Sequence, residues 1–258
     1  MFWRRKSKPA PAARDGIAIP KGQRVYAIGD IHGRDDLFAQ LIDMIRADNA
    51  ARSAAMVTLI LLGDLVDRGP QSAEVVERAI RLQDEFSSTR LLIGNHEECF
   101  LAALTGDVRR MRYFMRIGGE ATVASYWTSA ASLNFATFEE VAEQLPAMVP
   151  QAHVDFLSAG EDLIGIGDYV FVHAGIRPGI ELEKQSLADL RWIREDFLHD
   201  ERDHGAMVVH GHTIQAEVDE RPNRIGIDTG AYKSGVLTAI VLEGTERRYL
   251  KTEAPGDA

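Results

Sequence analysis

The sequence predicts an α/β fold. Short aliphatic runs recur along the chain, and each ends abruptly in glycine or another small residue followed by polar ones. Segments with helical periodicity follow the first two runs, so strand and helix alternate. That order is typical of βαβ units and of a largely parallel sheet, in which ligands bind beyond the carboxyl ends of the strands.

Five short, continuous apolar runs are predicted to be buried strands. They are Val25–Ile28, Val57–Leu62, Leu91–Ile93, Val170–Val172 and Met207–Val209. Amphipathic helices are predicted after the first two, with apolar stripes at Leu37, Phe38, Leu41, Ile42 and Ile45 and at Val75, Val76, Ala79 and Ile80.

The segment 97–157 has a different pattern, with apolar residues at helical spacing and no clear strand. It is predicted to be a helical insertion that shapes one wall of the site. One domain is expected over residues 21–252, after a flexible tail at residues 1–20. Closing strands, expected to pair antiparallel, are predicted at Ile225–Ile227, Val236–Leu242 and Arg247–Leu250.

The composition argues against several classes of function. The 258 residues are 45% hydrophobic and 26% charged, as in ordinary globular proteins. The formal net charge of −10 disfavours a nucleic-acid partner, because phosphate backbones repel an acidic surface. Cys99 is the only cysteine, so neither an intramolecular disulfide nor a multi-thiolate zinc site can form. We expect no membrane span, no secretory signal and a cytoplasmic location.

Polar motifs follow the predicted strands. In order they are GDIHG at 29–33, GDLVDRG at 63–69, GNHE at 94–97, HAG at 173–175 and HGH at 210–212. Five of the eight histidines lie in these motifs, beside three aspartates and an asparagine. A lone histidine after a strand is usually structural, but this clustering favours a metal site. Imidazole, carboxylate and amide ligands together suit Mn, Fe or Zn.

These five motifs, in this order, resemble those of the calcineurin-like metallophosphoesterases, and more closely those of their phosphoprotein phosphatase branch. The likeness covers roughly residues 24–243. It implies a four-layer α/β/β/α sandwich of two mixed sheets with a helical insertion. It also implies two divalent metal ions, for which we expect Mn, with Fe and Zn as alternatives.

The resemblance implies six metal ligands. One ion would be held by Asp30, His32 and Asp64, and the other by Asp64, Asn95, His173 and His212. The last motif contains two histidines, and the family ligand aligns with the one after glycine, which leaves the role of His210 open. In such a site the two ions activate a bridging water for in-line attack on phosphorus.

Four further residues carry the implied chemistry. His96 would protonate the leaving oxygen as general acid, and Asp67 would orient it and stabilise its imidazolium form. Stabilising a turn is the alternative role for Asp67. Arg68 would clamp phosphate, because a guanidinium fork matches phosphate oxygens. Arg194 resembles an arginine of bacterial and phage members and would be a second clamp, with an ordinary solvated residue as the alternative.

The predicted reaction is hydrolysis of phosphate monoesters, with phosphoserine and phosphothreonine in proteins as the main substrates and small phosphoesters also possible. The alternative is a symmetrical bis(5'-nucleosyl)-tetraphosphatase, which shares the fold, the metals and most of the motifs. That group usually has alanine in place of Asp67 and aspartate in place of Glu97, so both residues favour the phosphatase branch. Ile214 replaces a histidine usual in nucleases and cyclic phosphodiesterases, and argues against them.

A non-catalytic member of the family is disfavoured, because all six expected ligands are present together with the predicted acid and clamp. The basic stretch from Arg109 to Arg116 is interpreted as a solvated helix face. Recognition of an acidic phosphopeptide or of another subunit is the alternative for that stretch.

Overall fold

The computed structural model describes residues 16–127, 129, 133 and 136–253. Most of the predicted tail, residues 1–15, lies outside the described residues. The rest of it is packed, since Ile17 and Ile19 are buried and the amide of Ile19 donates to the carbonyl of Gly244 at 2.9 Å. The boundaries of the predicted domain stay a prediction.

The strands of the described chain form two five-stranded sheets. They are β1 (Gln23–Ile28), β2 (Met56–Leu61), β3 (Ser88–Leu91), β4 (Leu163–Ile166), β5 (Tyr169–Val172), β6 (Met207–His210), β7 (Asp219–Glu220), β8 (Arg224–Gly226), β9 (Thr238–Glu243) and β10 (Glu246–Lys251). The first sheet has the order β10-β9-β1-β2-β3 and the second β4-β5-β6-β8-β7.

Both sheets are mixed, with parallel strands at their centres. Strands β1, β2 and β3 pair parallel, whereas β9 and β10 pair antiparallel. In the second sheet β5, β6 and β8 are parallel, and β4 and β7 close the edges antiparallel. The predicted parallel units are present, and the closing strands predicted at Val236–Leu242 and Arg247–Leu250 pair antiparallel as β9 and β10. The prediction for Ile225–Ile227 is wrong, because this run overlaps β8, which pairs parallel with β6 inside the second sheet and antiparallel only with the short edge strand β7.

Helices cover the outer faces. They are α1 (Asp35–Ala50), α2 (Ser72–Arg81), α3 (Asn95–Ala103), α4 (Val108–Phe114), α5 (Glu120–Tyr126), α6 (Phe138–Met148), α7 (Gln151–Ser158), α8 (Leu187–Trp192), α9 (Glu195–Leu198) and α10 (Ala231–Ser234). A π-helical turn, Met115–Gly119, joins α4 to α5. Helices α3 to α7 fall in the segment predicted to be a helical insertion. No helix of the described residues is both long and apolar enough to span a membrane.

Strand side chains alternate between two apolar layers. In β1, Tyr26 and Ile28 pack under the helices of the first sheet, whereas Val25 and Ala27 face the second sheet. In β5, Phe171 faces the space between the sheets, and its neighbours pack against α8 and α9. Helices, sheet, sheet and helices form the four predicted layers, so the predicted fold class is confirmed. Burying one Leu or Phe side chain contributes about 1.5–3 kcal/mol to the stability of the fold. These apolar layers therefore hold the strand ends in place.

Candidate active site

Segments that follow the carboxyl ends of β1, β2, β3, β5 and β6 bring the predicted site residues together. The backbone there is strained, because a positive φ is uncommon for residues with a side chain and costs about 1–3 kcal/mol. In the described chain, every non-glycine residue with positive φ is a predicted site residue. They are His32, Asp64, Asp67, Arg68 and His212.

The Asp64 carboxylate lies between two histidines. Its Oδ2 is 3.5 Å from His32 Nε2, and its Oδ1 is 3.4 Å from His173 Nε2. Gly94 allows this carboxylate to approach the backbone, since a Cβ at Gly94 would lie 2.2 Å from Asp64 Oδ1. Each oxygen faces a different set of nitrogen ligands, which is the arrangement expected of a bridging carboxylate.

Backbone carbonyls determine which ring nitrogens are free. His32 Nδ1 lies 2.8 Å from the carbonyl of Val66, and His173 Nδ1 lies 2.7 Å from that of Leu62. A carbonyl can only accept, so both rings carry their proton on Nδ1 and direct the Nε2 lone pair into the site. Burial lowers the pKa of His32, and it lowers that of His173 to about 4. Both rings are therefore neutral near pH 7, the form that binds metal.

Three acceptor atoms converge beside Asp64. His173 Nε2 lies 3.1 Å from Asn95 Oδ1 and 3.2 Å from His212 Nδ1. Burial lowers the pKa of His212 far below its ordinary value. The buried Nε2 of His212 has no hydrogen-bond partner among the described residues. The lone pairs of His173 Nε2 and Asn95 Oδ1 repel one another at 3.1 Å unless a cation lies between them. His212 Nδ1 offers a further nitrogen beside them, so this set of side chains fits a divalent metal.

Asp30 lies on the other side of His212, whose backbone amide donates to both Asp30 oxygens at 3.0–3.1 Å. Burial, together with the neighbouring carboxylates of Asp228 and Asp64, raises the pKa of Asp30 well above its ordinary range. Asp228 itself accepts from the amide of Gly230 at 2.9 Å and holds the loop before α10. A buried cluster of carboxylates needs nearby positive charge, and a divalent ion supplies it.

Glu97 is buried and stabilises the site loops, a role that the sequence did not identify. Its carboxylate accepts from the amides of Asp64 and Leu65, each at 2.7 Å, and from that of Gly94 at 3.0 Å. It therefore holds the loop of Asp64 against the start of α3. Burial raises the pKa of Glu97 to about 7.

His96 and Asp67 form a buried pair. His96 Nδ1 lies 2.5 Å from Asp67 Oδ2, so its Nε2 points toward Asp64, 3.9 Å away. Burial raises the pKa of Asp67 to about 8 and lowers that of His96. The other oxygen of Asp67 accepts from the hydroxyl of Thr122 at 2.6 Å. Thr122 lies on α5 and is a further residue that the motifs did not reveal.

Arg68 spans the site. Its Nη1 lies 2.9 Å from His32 Nε2, and its Nη2 lies 3.0 Å from His96 Nε2. The guanidinium lies over the ring of Tyr232, 4.9 Å from its centroid, and the amide of Arg68 donates to the carbonyl of Gly118 at 3.0 Å. Tyr232 and Gly118 thus hold Arg68 from two sides, and neither belongs to a motif.

Arg194 precedes α9 and is exposed. Its guanidinium makes no hydrogen bond or ion pair within the described chain, yet its charge adds to burial in lowering the pKa values of His96, His173 and His212. A guanidinium that is close to the site and free of a carboxylate is suited to bind an anion.

His210 lies away from the convergent ligands. Its ring packs edge-on against Phe197, with centroids 5.1 Å apart, and its Nε2 faces Arg224 at 3.4 Å. Burial lowers its pKa to about 4. Of the two histidines in the last motif, the structure brings His212 to the site and leaves His210 in the packing of α9.

The fold and this site define a metal-dependent phosphoesterase. A model of the calcineurin-like phosphoesterase family matches residues 23–228, and the chain belongs to that family. Family members hydrolyse phosphoesters with the help of divalent ions, and two groups of site residues are close enough to hold ions. They are His32, Asp64 and His96, and Asp64, His173 and His212.

Among curated proteins, the chain is similar to two symmetrical bis(5'-nucleosyl)-tetraphosphatases. That of Paracidovorax citrulli (strain AAC00-1) is 28% identical over 90% of this chain and 99% of the relative. That of Acidovorax ebreus (strain TPSY) is 46% identical over 34% of this chain and 28% of the relative. A crystal structure provisionally assigned as a diadenosine tetraphosphatase shares the fold, with a TM-score of 0.62, 20% identity and coverage of 93% of this chain and 99% of that one.

The prediction of a serine/threonine phosphoprotein phosphatase is wrong, because the curated relatives are tetraphosphatases. The two residues that favoured the phosphatase branch do not reach the substrate. Asp67 is fully buried against His96 and Thr122, and Glu97 is fully buried against backbone amides. Both residues stabilise the catalytic loops from below, and neither is exposed to a substrate that could distinguish the two branches.

Proposed function

We propose that this protein hydrolyses dinucleoside tetraphosphates symmetrically, as a two-metal bis(5'-nucleosyl)-tetraphosphatase. The observation that carries the proposal is the end-to-end similarity to the Paracidovorax citrulli enzyme, which spans 99% of that relative. In this reaction the central P–O–P bond breaks, a water oxygen joins one phosphorus, and two nucleoside diphosphates leave.

Six residues would hold the two ions. They are Asp30, His32, Asp64, Asn95, His173 and His212. Their mixture of imidazole, carboxylate and amide supports Mn, with Fe and Zn as alternatives. When bound, the ions would supply Lewis-acid stabilisation of phosphate charge and an activated water at neutral pH.

The remaining roles belong to the protein. Arg68 and Arg194 would bind phosphate oxygens, which lets an acidic protein hold a polyanion. The single lone pair of His32 Nε2 accepts from Arg68 Nη1 in this structure. If that lone pair bound a metal instead, Arg68 Nη1 would be free to bind phosphate. In this structure His96 Nε2 accepts from Arg68 Nη2 at 3.0 Å. Once phosphate has drawn Arg68 away and Nε2 is protonated, His96 would deliver that proton to the departing bridging oxygen, while Asp67 holds the opposite side of its ring. A positioned general acid is worth roughly 10²–10⁴-fold in rate.

The test is a parallel assay on metal-stripped protein reloaded with Mn²⁺, Fe²⁺ or Zn²⁺, with bound metal counted by elemental analysis. Diadenosine tetraphosphate, inorganic tetraphosphate and a phosphoserine peptide would be compared by chromatography of the products. We expect two bound ions and ADP as the only nucleotide product. Release of ATP and AMP would refute symmetrical cleavage, and turnover of the peptide alone would refute the proposal. The cytoplasmic location stays a prediction.

A further inference from the structure

A second recess opens beside the catalytic helix. This cleft, of about 580 Å³, is lined by Glu98, Cys99, Arg109, Arg110, Tyr113 and Trp192. It begins one helical turn beyond His96, since Cys99 is three residues further along α3. Trp192, which also lines the cleft, is two residues from Arg194. The cleft is therefore lined by residues that are close in sequence to the predicted acid and to one predicted phosphate clamp.

Two aromatic side chains form its walls. The indole Nε1 of Trp192 donates to Glu98 Oε2 at 3.1 Å, and Arg191 holds the same carboxylate at 3.3 Å. The plane of the indole is therefore locked. Tyr113 lines the same cleft and is 46% exposed, so its ring is accessible to a ligand. The cleft thus contains one fixed ring and one accessible ring, and aromatic side chains can stack a flat heteroaromatic base.

Two arginines, Arg109 and Arg110, line the cleft beside the carboxylates of Glu98 and Asp107. The Arg109 side chain is 92% exposed, and its guanidinium lies 3.7 Å from Asp107. That carboxylate already caps α4 by accepting from the amides of Arg109 and Arg110, at 2.8 and 3.2 Å. Arg112, on the same helix, instead pairs with Glu139 at 2.9 Å and lies over the ring of Phe138.

We propose that this cleft binds one nucleoside of the substrate, with its base between Tyr113 and Trp192. Arg109 and Arg110 hold the oxygens of the attached ribose and phosphates. The inference rests on the proposed function, and it deepens that function by assigning the residues that recognise the nucleoside end. The volume suits a ligand of this size, since small-molecule sites span roughly 300–1,000 Å³.

The experiment compares binding of ADP and inorganic pyrophosphate by calorimetry, because the two anions differ by the nucleoside. Stacking of a base on an aromatic side chain is worth about 1–3 kcal/mol, or roughly 5–150-fold. We expect wild-type protein to bind ADP at least about tenfold more tightly than pyrophosphate. Tyr113→Ala should abolish that preference, and Arg109→Ala should weaken ADP binding.

Arg112→Ala is the matched control, because it removes the same charge from the same helix but outside the cleft. It should leave the preference for ADP intact. Tyr113 and Arg109 are exposed, so both variants should keep the wild-type melting temperature. Equal affinity for ADP and pyrophosphate in wild-type protein would overturn the inference, as would full preference in Tyr113→Ala.

Turnover of diadenosine tetraphosphate separates the two claims. If wild-type protein binds ADP more tightly than pyrophosphate and Tyr113→Ala loses this preference, but the protein does not cleave the dinucleotide, the proposed function is refuted and the nucleoside site is supported. If it cleaves the dinucleotide and Tyr113→Ala has an unchanged KM, the proposed function stands and the cleft is refuted.

Discussion

Replacing Thr122 with valine tests whether the helical insertion positions the catalytic pair. Valine has nearly the shape of threonine, so the change removes the hydroxyl with little loss of packing. That hydroxyl donates to Asp67 Oδ1 at 2.6 Å, accepts from the amide of Asp67 at 2.8 Å and lies 3.0 Å from the hydroxyl of Ser72. Asp67 in turn contacts His96 Nδ1.

The magnitude follows from those contacts. Above pH 8 Asp67 is ionised, because burial raises its pKa to about 8, and a hydrogen bond to a charged group contributes about 1.5–3 kcal/mol. Ser72 still accepts from the amide of Asp67 at 3.1 Å, so the principal loss is the bond to Oδ1. If the same energy is lost in the orientation of His96, kcat above pH 8 falls roughly 10–150-fold, which does not exceed the roughly 10²–10⁴-fold value of a general acid. KM should change little, because Thr122 is fully buried and touches no substrate.

The assay measures kcat, KM and bound Mn for wild-type protein, Thr122→Val and Thr122→Ser, with thermal unfolding measured alongside. Thr122→Ser retains the hydroxyl and should recover most of the rate. A Thr122→Val protein with two bound ions and kcat within twofold of wild type would refute the positioning role. An equal loss of rate in Thr122→Ser would attribute the effect to packing instead.

Three further predictions concern the metals, the acid and the stability of the fold. Asp64→Asn should lose bound metal and activity together, because both oxygens of Asp64 face histidine ligands; two ions found by elemental analysis would contradict this. His96→Asn should keep two ions and lose roughly 10²–10⁴-fold in kcat, and near-wild-type turnover would remove His96 from the acid role. Burial tends to raise the pKa of Asp48, but hydrogen bonds led by that of Arg248 outweigh burial and lower this pKa from 3.8 to about 2. Asp48 therefore contributes about 1–2 kcal/mol to the stability of the fold above pH 4, and this contribution is lost as pH falls toward 2. Between pH 4 and pH 2 the free energy of unfolding, measured by chemical denaturation, should fall more steeply for wild type than for Asp48→Asn.

The sequence motifs alone could predict only some of the site residues. Adjacent residues such as Asn95 and His96 could be predicted, because a strand end followed by polar residues directs them to one edge of the sheet. Glu97 and Thr122 could not be assigned, since their partners lie 33 and 55 residues away in sequence. The substrate branch was predicted wrongly because Asp67 and Glu97 were interpreted as markers of specificity, whereas both are buried beneath the loops.

The sequence by itself determined the α/β class, the family and the set of polar residues at the strand ends. These follow from local patterns, namely apolar runs of strand length and short motifs at strand ends. The tertiary structure decided which histidine of the last motif faces the site, how Tyr232 and Gly118 hold Arg68, and how Trp192 bonds to Glu98. Those contacts join segments far apart in the chain, and only the packing of two sheets and the insertion brings them within hydrogen-bonding or stacking distance.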